Sequence, residues 1–167
     1  MREPSRSGWR EGVTAEQAAA LPMAAETAWR ALDDLGVQPG ELLIVHGAGT
    51  TVGEAAVRFA LHRGIRVIAT AGPTRAAVLE GIGAQTLIEL TGDPDRVLTV
   101  SDFAAAAELG ARITTEIRYD LMGEFARLAG EGVLAVSVAR TYTLDQIQEA
   151  AKLSQSRRPG GKVMLVL

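Results

Sequence analysis

The chain has 167 residues, 17 of them Lys or Arg and 20 Asp or Glu, with a formal net charge of −3 and 47% hydrophobic residues. That is enough for one domain with a substantial core, and the absence of a basic stripe interleaved with aromatics argues against a nucleic-acid partner. There is no cysteine and there are two histidines, His46 and His62, which excludes disulfides, a cysteine nucleophile and cysteine-ligated metal.

Aromatic residues make up only 4%, so the core must be built from Ala, Val, Leu and Ile. The polar N-terminus lacks the apolar stretch of a signal peptide, and no apolar run approaches a membrane span. A cytoplasmic location without a membrane partner is expected. Residues 1–12 read as a flexible tail and 13–167 as a single domain.

Thr14 with Gln17 forms a capping box that opens an Ala-rich helix. Pro22 is expected to interrupt it and to sit in the first turn of a second helix. That helix runs to about Leu35, with Gly36 just past its end. Pro39-Gly40 is a turn. Residues 42–45 form a continuous apolar run, the pattern of a strand covered on both faces.

Three glycines follow, Gly47, Gly49 and Gly53, and a helix begins at once, with Val52, Ala55, Ala56, Phe59 and Ala60 on one face. This strand–turn–helix presents backbone N–H groups and a helix N-terminus to a phosphate, and it points to a nicotinamide dinucleotide. The alternative is a tight turn that merely packs helix on strand. A second buried strand is predicted over 65–70, a helix over 74–79 and a third strand over 86–90. Ser101 is expected to cap a helix over 102–109, followed by a fourth strand over 111–115. A helix over 119–128 and a strand over 134–138 come next. Thr143 and Gln146 make another capping box for a helix ending near Ser154, and 162–167 is a final apolar strand. Strands alternating with helices imply parallel βαβ units.

Several ordered segments resemble the medium-chain dehydrogenase/reductase superfamily, in its zinc-independent, quinone-oxidoreductase-like branch. They are Gly12-Val-Thr-Ala-Glu-Gln-Ala-Ala-Ala-Leu-Pro22, Glu26-Thr-Ala-Trp-Arg-Ala-Leu32, Val45-His-Gly-Ala-Gly-Thr-Thr-Val-Gly53, Gly81-Ile-Gly-Ala84, Tyr142-Thr-Leu-Asp-Gln-Ile-Gln-Glu-Ala-Ala151 and Gly161-Lys-Val-Met-Leu-Val-Leu167. The resemblance implies a cofactor domain only, a reduced Rossmann-like, doubly wound α/β fold with a mainly parallel sheet flanked by helices.

The chain departs from the family's pattern in four places. The N-terminal substrate domain of relatives is not expected before Gly12. A strand, a helix and a further strand are missing at an apparent deletion between Gln85 and Thr86. Thr50-Thr51 stands where many relatives have Gly-Gly, so two Cβ atoms crowd the pyrophosphate approach while a hydroxyl gains a chance to donate to it. Met23 stands where zinc-dependent relatives have a Cys ligand, so no metal is expected.

The resemblance places the cofactor against Thr27, Gly47, Gly49, Thr50, Thr51, Val52, Gly53, Thr70, Thr74, Arg75, Thr91 and Gly92. The end of the second strand has no carboxylate to hold an adenosine ribose. Thr70, Thr74 and Arg75 suit a 2′-phosphate instead, which favours NADP(H) over NAD. Thr27 and Thr91-Gly92 match the nicotinamide side; as bland alternatives, Thr27 is a helix-interior residue and Thr91-Gly92 a plain turn. Tyr119 and Asp120 read as structural, His46 as a packed, hydrogen-bonded histidine and Asp33-Asp34 as a solvated helix end.

No catalytic acid or nucleophile stands out. Hydride transfer to a quinone or an activated alkene would draw its chemistry from the cofactor. The alternatives are a cofactor-free rearrangement or cyclisation of a hydrophobic small molecule and a non-catalytic binding module. Strands at 42–46, 66–70, 86–90 and 111–115 are expected to form one parallel core. The strands at 134–138 and 162–167 must pair with each other, join that core or meet a second chain. Exposed apolar edges predict a homo-oligomer.

Overall fold

Thr14 caps the first helix as its spacing predicts: its Oγ1 accepts the Gln17 amide at 3.2 Å, and Gln17 Oε1 accepts the Thr14 amide at 2.9 Å. The computed structural model describes residues 13–70, 84–114, 116–156 and 159–166, with the backbone alone at 84–86 and 105. The expected tail and the helix expected over 74–79 lie outside these residues.

Helix α1, Ala15–Leu35, is continuous through Pro22, contrary to the two helices expected. Proline removes one hydrogen bond and crowds the preceding turn, at a cost of about 3 kcal/mol. Ala20 and Leu21 before it, and Ala24, Ala25 and Ala28 after it, are all buried. Burying both halves of the helix outweighs the local penalty. Gly36 ends it in the left-handed conformation, φ +67°.

Strand β1, Leu42–His46, leads into helix α2, Thr51–His62, and then into β2, Arg66–Thr70. β1 and β2 are parallel, with Leu42 opposite Arg66 and His46 opposite Thr70. Leu43 and Val67 pack on the core, whereas Leu42 is 47% and Ile68 49% exposed. The ladder is thus covered on one face, and the expectation of two covered faces is corrected. The apolar core lies on the Leu43 and Val67 side only.

Helix α3, Ala84–Thr91, occupies the segment expected to be the third strand. Leu87, Ile88, Leu90 and Glu89 suit either state, and a short apolar run does not separate them. The third strand, β3, Leu98–Thr99, comes later and pairs in parallel with β4, Arg112–Ile113, across helix α4, Phe103–Leu109. Thr99, rather than Ser101, meets the approach to α4, its Oγ1 accepting the amides of Ser101 and Asp102 at 3.3 and 3.1 Å.

A 3₁₀ turn, Tyr119–Leu121, precedes helix α5, Met122–Gly130. Strand β5, Val138–Thr143, begins where the predicted strand was to end. Helix α6, Ile147–Gln155, follows, and its approach carries the expected Thr143–Gln146 capping box. Strand β6, Lys162–Val166, pairs in parallel with β5. The last two strands therefore pair with each other. The single four-stranded core expected from sequence is replaced, among the described residues, by three separate two-stranded parallel ladders.

The core sits between α1, α2 and α5. Ala24, Ala25, Ala28, Ala55 and Ala60 let the helices approach closely, and Phe59, Phe125 and Leu128 fill the space between them. Trp29 meets Phe59 edge-on at 5.0 Å and Phe125 at 5.6 Å between ring centroids. Arg63 lies 4.0 Å over the Trp29 ring and pairs with Asp33 at 2.7 Å. Trp29, Phe59 and Phe125 thus form one aromatic cluster that includes the helix following the glycine loop.

Candidate functional site

The glycine loop is built on itself before any ligand is considered. Gly47 turns the chain at φ +82°, a conformation that L side chains rarely adopt. Thr50 is extended and caps α2, its Oγ1 accepting the Gly53 amide at 3.0 Å and donating to the Gly47 carbonyl at 2.9 Å. The hydroxyl that sequence reasoning offered to a phosphate is therefore engaged on the loop. Thr51 and Val52 are the first residues of the helix, where amides lack intrahelical acceptors. Together with the helix dipole they present positive potential to an anion.

Gly53 supplies the closest contact. A Cβ there would lie 2.2 Å from the Gly47 oxygen and 2.8 Å from the Ala48 Cα. No side chain fits, so helix and turn meet backbone on backbone. This is the role of the last glycine in a dinucleotide fingerprint. The residues present fit a pyrophosphate held by main-chain amides.

The first turn of α2 also carries a carboxylate. Glu54 Oε1 accepts from Arg58 at 3.1 Å, and Oε2 accepts from the Ser137 hydroxyl at 2.9 Å. Arg58 thereby offsets the negative charge of Glu54 in the first turn of α2. The Glu54–Arg58 spacing is legible in sequence. The Ser137 contact is not, because 83 residues separate the partners.

Thr70 joins the loop. Its Oγ1 lies 2.9 Å from His46 Nδ1, and its carbonyl accepts the Ala48 amide at 3.2 Å. The structure thus brings Gly47, Gly49, Thr50, Thr51, Val52, Gly53 and Thr70 to the carboxyl ends of β1 and β2. Thr74 and Arg75 lie outside the described residues. Thr27 is half-buried midway along α1.

Thr91 and Gly92 do not follow a strand. Thr91 ends α3, its Oγ1 reaching the Asp93 carbonyl at 3.0 Å, and Gly92 is the left-handed residue after the helix, its amide bonded to Ile88 at 2.7 Å. Thr91 borders a cleft of about 340 Å³ lined by Leu35, Leu42, Leu43, Ile44, Leu87 and Leu98. The cleft follows the N-terminal half of β1, away from the glycine loop. Glu41, Asp95 and Arg96 also line it, and nucleotides bind outside the carboxyl ends of parallel strands, so the loop is the better nucleotide site.

Glu26 escaped the sequence reading. It is buried, accepts Arg30 Nε at 2.8 Å and accepts the Arg118 amide at 2.9 Å. Its four-residue spacing from Arg30, amid core alanines, is the signal that could have found it. Tyr119 is exposed and Asp120 forms a two-point ion pair with Arg118. The hydrogen-bonded Arg118 guanidinium holds the Asp120 carboxyl below its ordinary value. No group of three or more His, Cys, Asp or Glu that could hold a metal ion occurs among the described residues. Among them, no helix is long and apolar enough to cross a membrane.

Residues 44–165 match the family model described as zinc-binding dehydrogenase. The chain belongs to that family. Its relatives include polyketide synthase GfsB of Streptomyces halstedii, 37% identical over 143 residues, 83% of this chain and 2% of that protein. An alcohol dehydrogenase of Schizosaccharomyces pombe is 30% identical over 131 residues, 77% of this chain and 37% of that protein. The structure of the quinone oxidoreductase from Coxiella burnetii shares the fold, with a TM-score of 0.72 at 22% identity, over 95% of this chain and 62% of that one. The fold is thus Rossmann-like, and this chain spans less than two thirds of each of these relatives.

Proposed function

We propose that the chain is a zinc-independent, oxidoreductase-like module that binds NADP(H) in preference to NAD(H). The observation that carries this reading is the Gly53–Gly47 contact at the N-terminus of α2. It packs the start of α2 on the turn, backbone against backbone, with the first-turn amides of Thr51 and Val52 beside it. Thr51 and Val52 would hold the pyrophosphate, and Thr70, with Thr74 and Arg75, the 2′-phosphate. Thr27 is the candidate on the nicotinamide side. Thr91 and Gly92 stand at a helix end beside the cleft and are weaker candidates.

The nicotinamide, when bound, supplies the hydride, and a quinone or an activated alkene is the proposed small-molecule acceptor class. The quinone oxidoreductase of like fold supports that class. Zinc independence rests on a donor set without cysteine and on Met23 where zinc-dependent relatives have a ligand.

Titration of NADPH, read by quenching of tryptophan emission and by the nucleotide's own fluorescence, tests the reading. Saturable binding is expected, and Arg75→Ala should weaken NADPH more than NADH. No saturation at millimolar NADPH or NADH would overturn the cofactor assignment, and equal losses on Arg75→Ala would remove the preference for the 2′-phosphate.

The cleft along β1 favours a second reading, in which an apolar small molecule binds there for a cofactor-free reaction or without catalysis. Saturable binding of an apolar dye, together with no nucleotide binding, would favour it. We also infer self-association. Ile68, Ile113 and Leu165 are exposed on three two-stranded ladders, and unpaired strand edges beside exposed apolar side chains attract partners. A monomer in sedimentation at all concentrations would overturn this.

A further inference from the structure

His46 and Thr70 are the last residues of β1 and β2, and they face each other in register. Two contacts tie Thr70 to the glycine loop: its hydroxyl to His46 Nδ1 at 2.9 Å and its carbonyl to the Ala48 amide at 3.2 Å. Thr70 therefore cannot move without the loop. Both side chains are half-buried, and neither belongs to the buried core.

An imidazole nitrogen facing a hydroxyl allows two polarities. In one, the threonine donates to Nδ1 and shows only lone pairs to a neighbour. In the other, Nδ1–H donates to Oγ1 and the hydroxyl hydrogen is released to an outside acceptor. A phosphate offers acceptors only, so it fits the second polarity. A ribose hydroxyl donates or accepts and fits either.

We propose that His46 is a positioning residue for cofactor choice: by donating from Nδ1 to Thr70 Oγ1 it turns the Thr70 hydroxyl into a donor for the 2′-phosphate of NADP(H). This rests on the NADP(H) reading above and deepens it. The ribose is read at the end of the second strand in such folds. Here that position carries a hydroxyl whose direction is set from the neighbouring strand.

Calorimetric titration of NADPH and NADH separates the outcomes. His46→Leu and Thr70→Val should each lower NADPH affinity by roughly tenfold, the scale of one hydrogen bond to a charged group. NADH affinity should change by less than about threefold. His46→Asn, which keeps a donor near the Nδ1 position, and Thr70→Ser, which keeps the hydroxyl, should retain the preference. The double variant H46L/T70V should be no worse than either single one, because both break one contact. Should His46→Leu fail to fold, the Thr70→Val and Thr70→Ser pair decides, together with nitrogen NMR of His46 in the wild-type NADPH complex, which should show a proton on Nδ1. Equal losses for both nucleotides, loss of preference in His46→Asn, or an unprotonated Nδ1 in the complex would overturn the proposal while leaving the cofactor reading intact. Wild-type protein that binds neither nucleotide would overturn both.

Discussion

Gly53 sits so close to Gly47 that a Cβ on it would fall 2.2 Å from the Gly47 carbonyl oxygen. The obstacle is backbone and cannot rotate aside. Gly53→Ala should therefore push α2 away from the turn, at a cost of about 1–3 kcal/mol. NADPH affinity should fall with it, because the amides of Thr51 and Val52 move too. Urea denaturation and nucleotide titration check both effects. Wild-type values in both would show that the loop tolerates a side chain.

Thr50 separates capping from ligand binding. Its hydroxyl bonds both the Gly53 amide and the Gly47 carbonyl. Thr50→Ala should destabilise the fold by about 1 kcal/mol, whereas Thr50→Ser should stay near wild type. A Thr50→Ala protein of unchanged stability but sharply weaker NADPH binding would mean that the hydroxyl serves the phosphate instead.

Glu26 is a buried carboxylate with two anchors, the Arg30 side chain and the Arg118 amide. Removing the carboxylate takes an acceptor from the Arg30 side chain and from the Arg118 amide, so Glu26→Ala is expected to cost about 1–3 kcal/mol. Glu26→Gln keeps an oxygen for the Arg118 amide and should cost less. Thermal and chemical unfolding of the two variants gives the comparison, and equal stability of Glu26→Ala and wild type would contradict the anchoring role.

Asp120 gives a pH signature. Its hydrogen bond to Arg118 lowers its folded-state pKa, so its contribution to stability is present above the unfolded-state value and is lost as pH falls through the folded-state value. The pair is exposed, so the effect on stability is small. Carboxyl NMR should show Asp120 titrating at lower pH in wild type than in Arg118→Ala. Identical curves would remove the ion pair as the cause.

The loop from His46 to Gly53 was readable because each requirement there is local. A turn needs a left-handed residue at Gly47, and close packing needs a residue without Cβ at Gly53; that the Thr50 hydroxyl serves the cap is decided by the folded loop. The two capping boxes were readable for the same reason. Residues 84–91 were not, since Leu87, Ile88 and Leu90 satisfy a helix or a strand equally over so short a run. β3 leaves little trace in the sequence, because two residues, Leu98–Thr99, are too few to show a strand period.

Sequence by itself determined the strand–glycine–helix unit, the α/β class and the family. Local backbone geometry and short-range hydrogen bonds specify these, and they leave marks at fixed spacings. Only the tertiary structure decided that α1 runs through Pro22, that the strands divide into three ladders, and that His46 meets Thr70 while Ser137 meets Glu54. Those outcomes depend on burial and on contacts between segments far apart in the chain, whose energies exceed local preferences and have no signature at a fixed spacing.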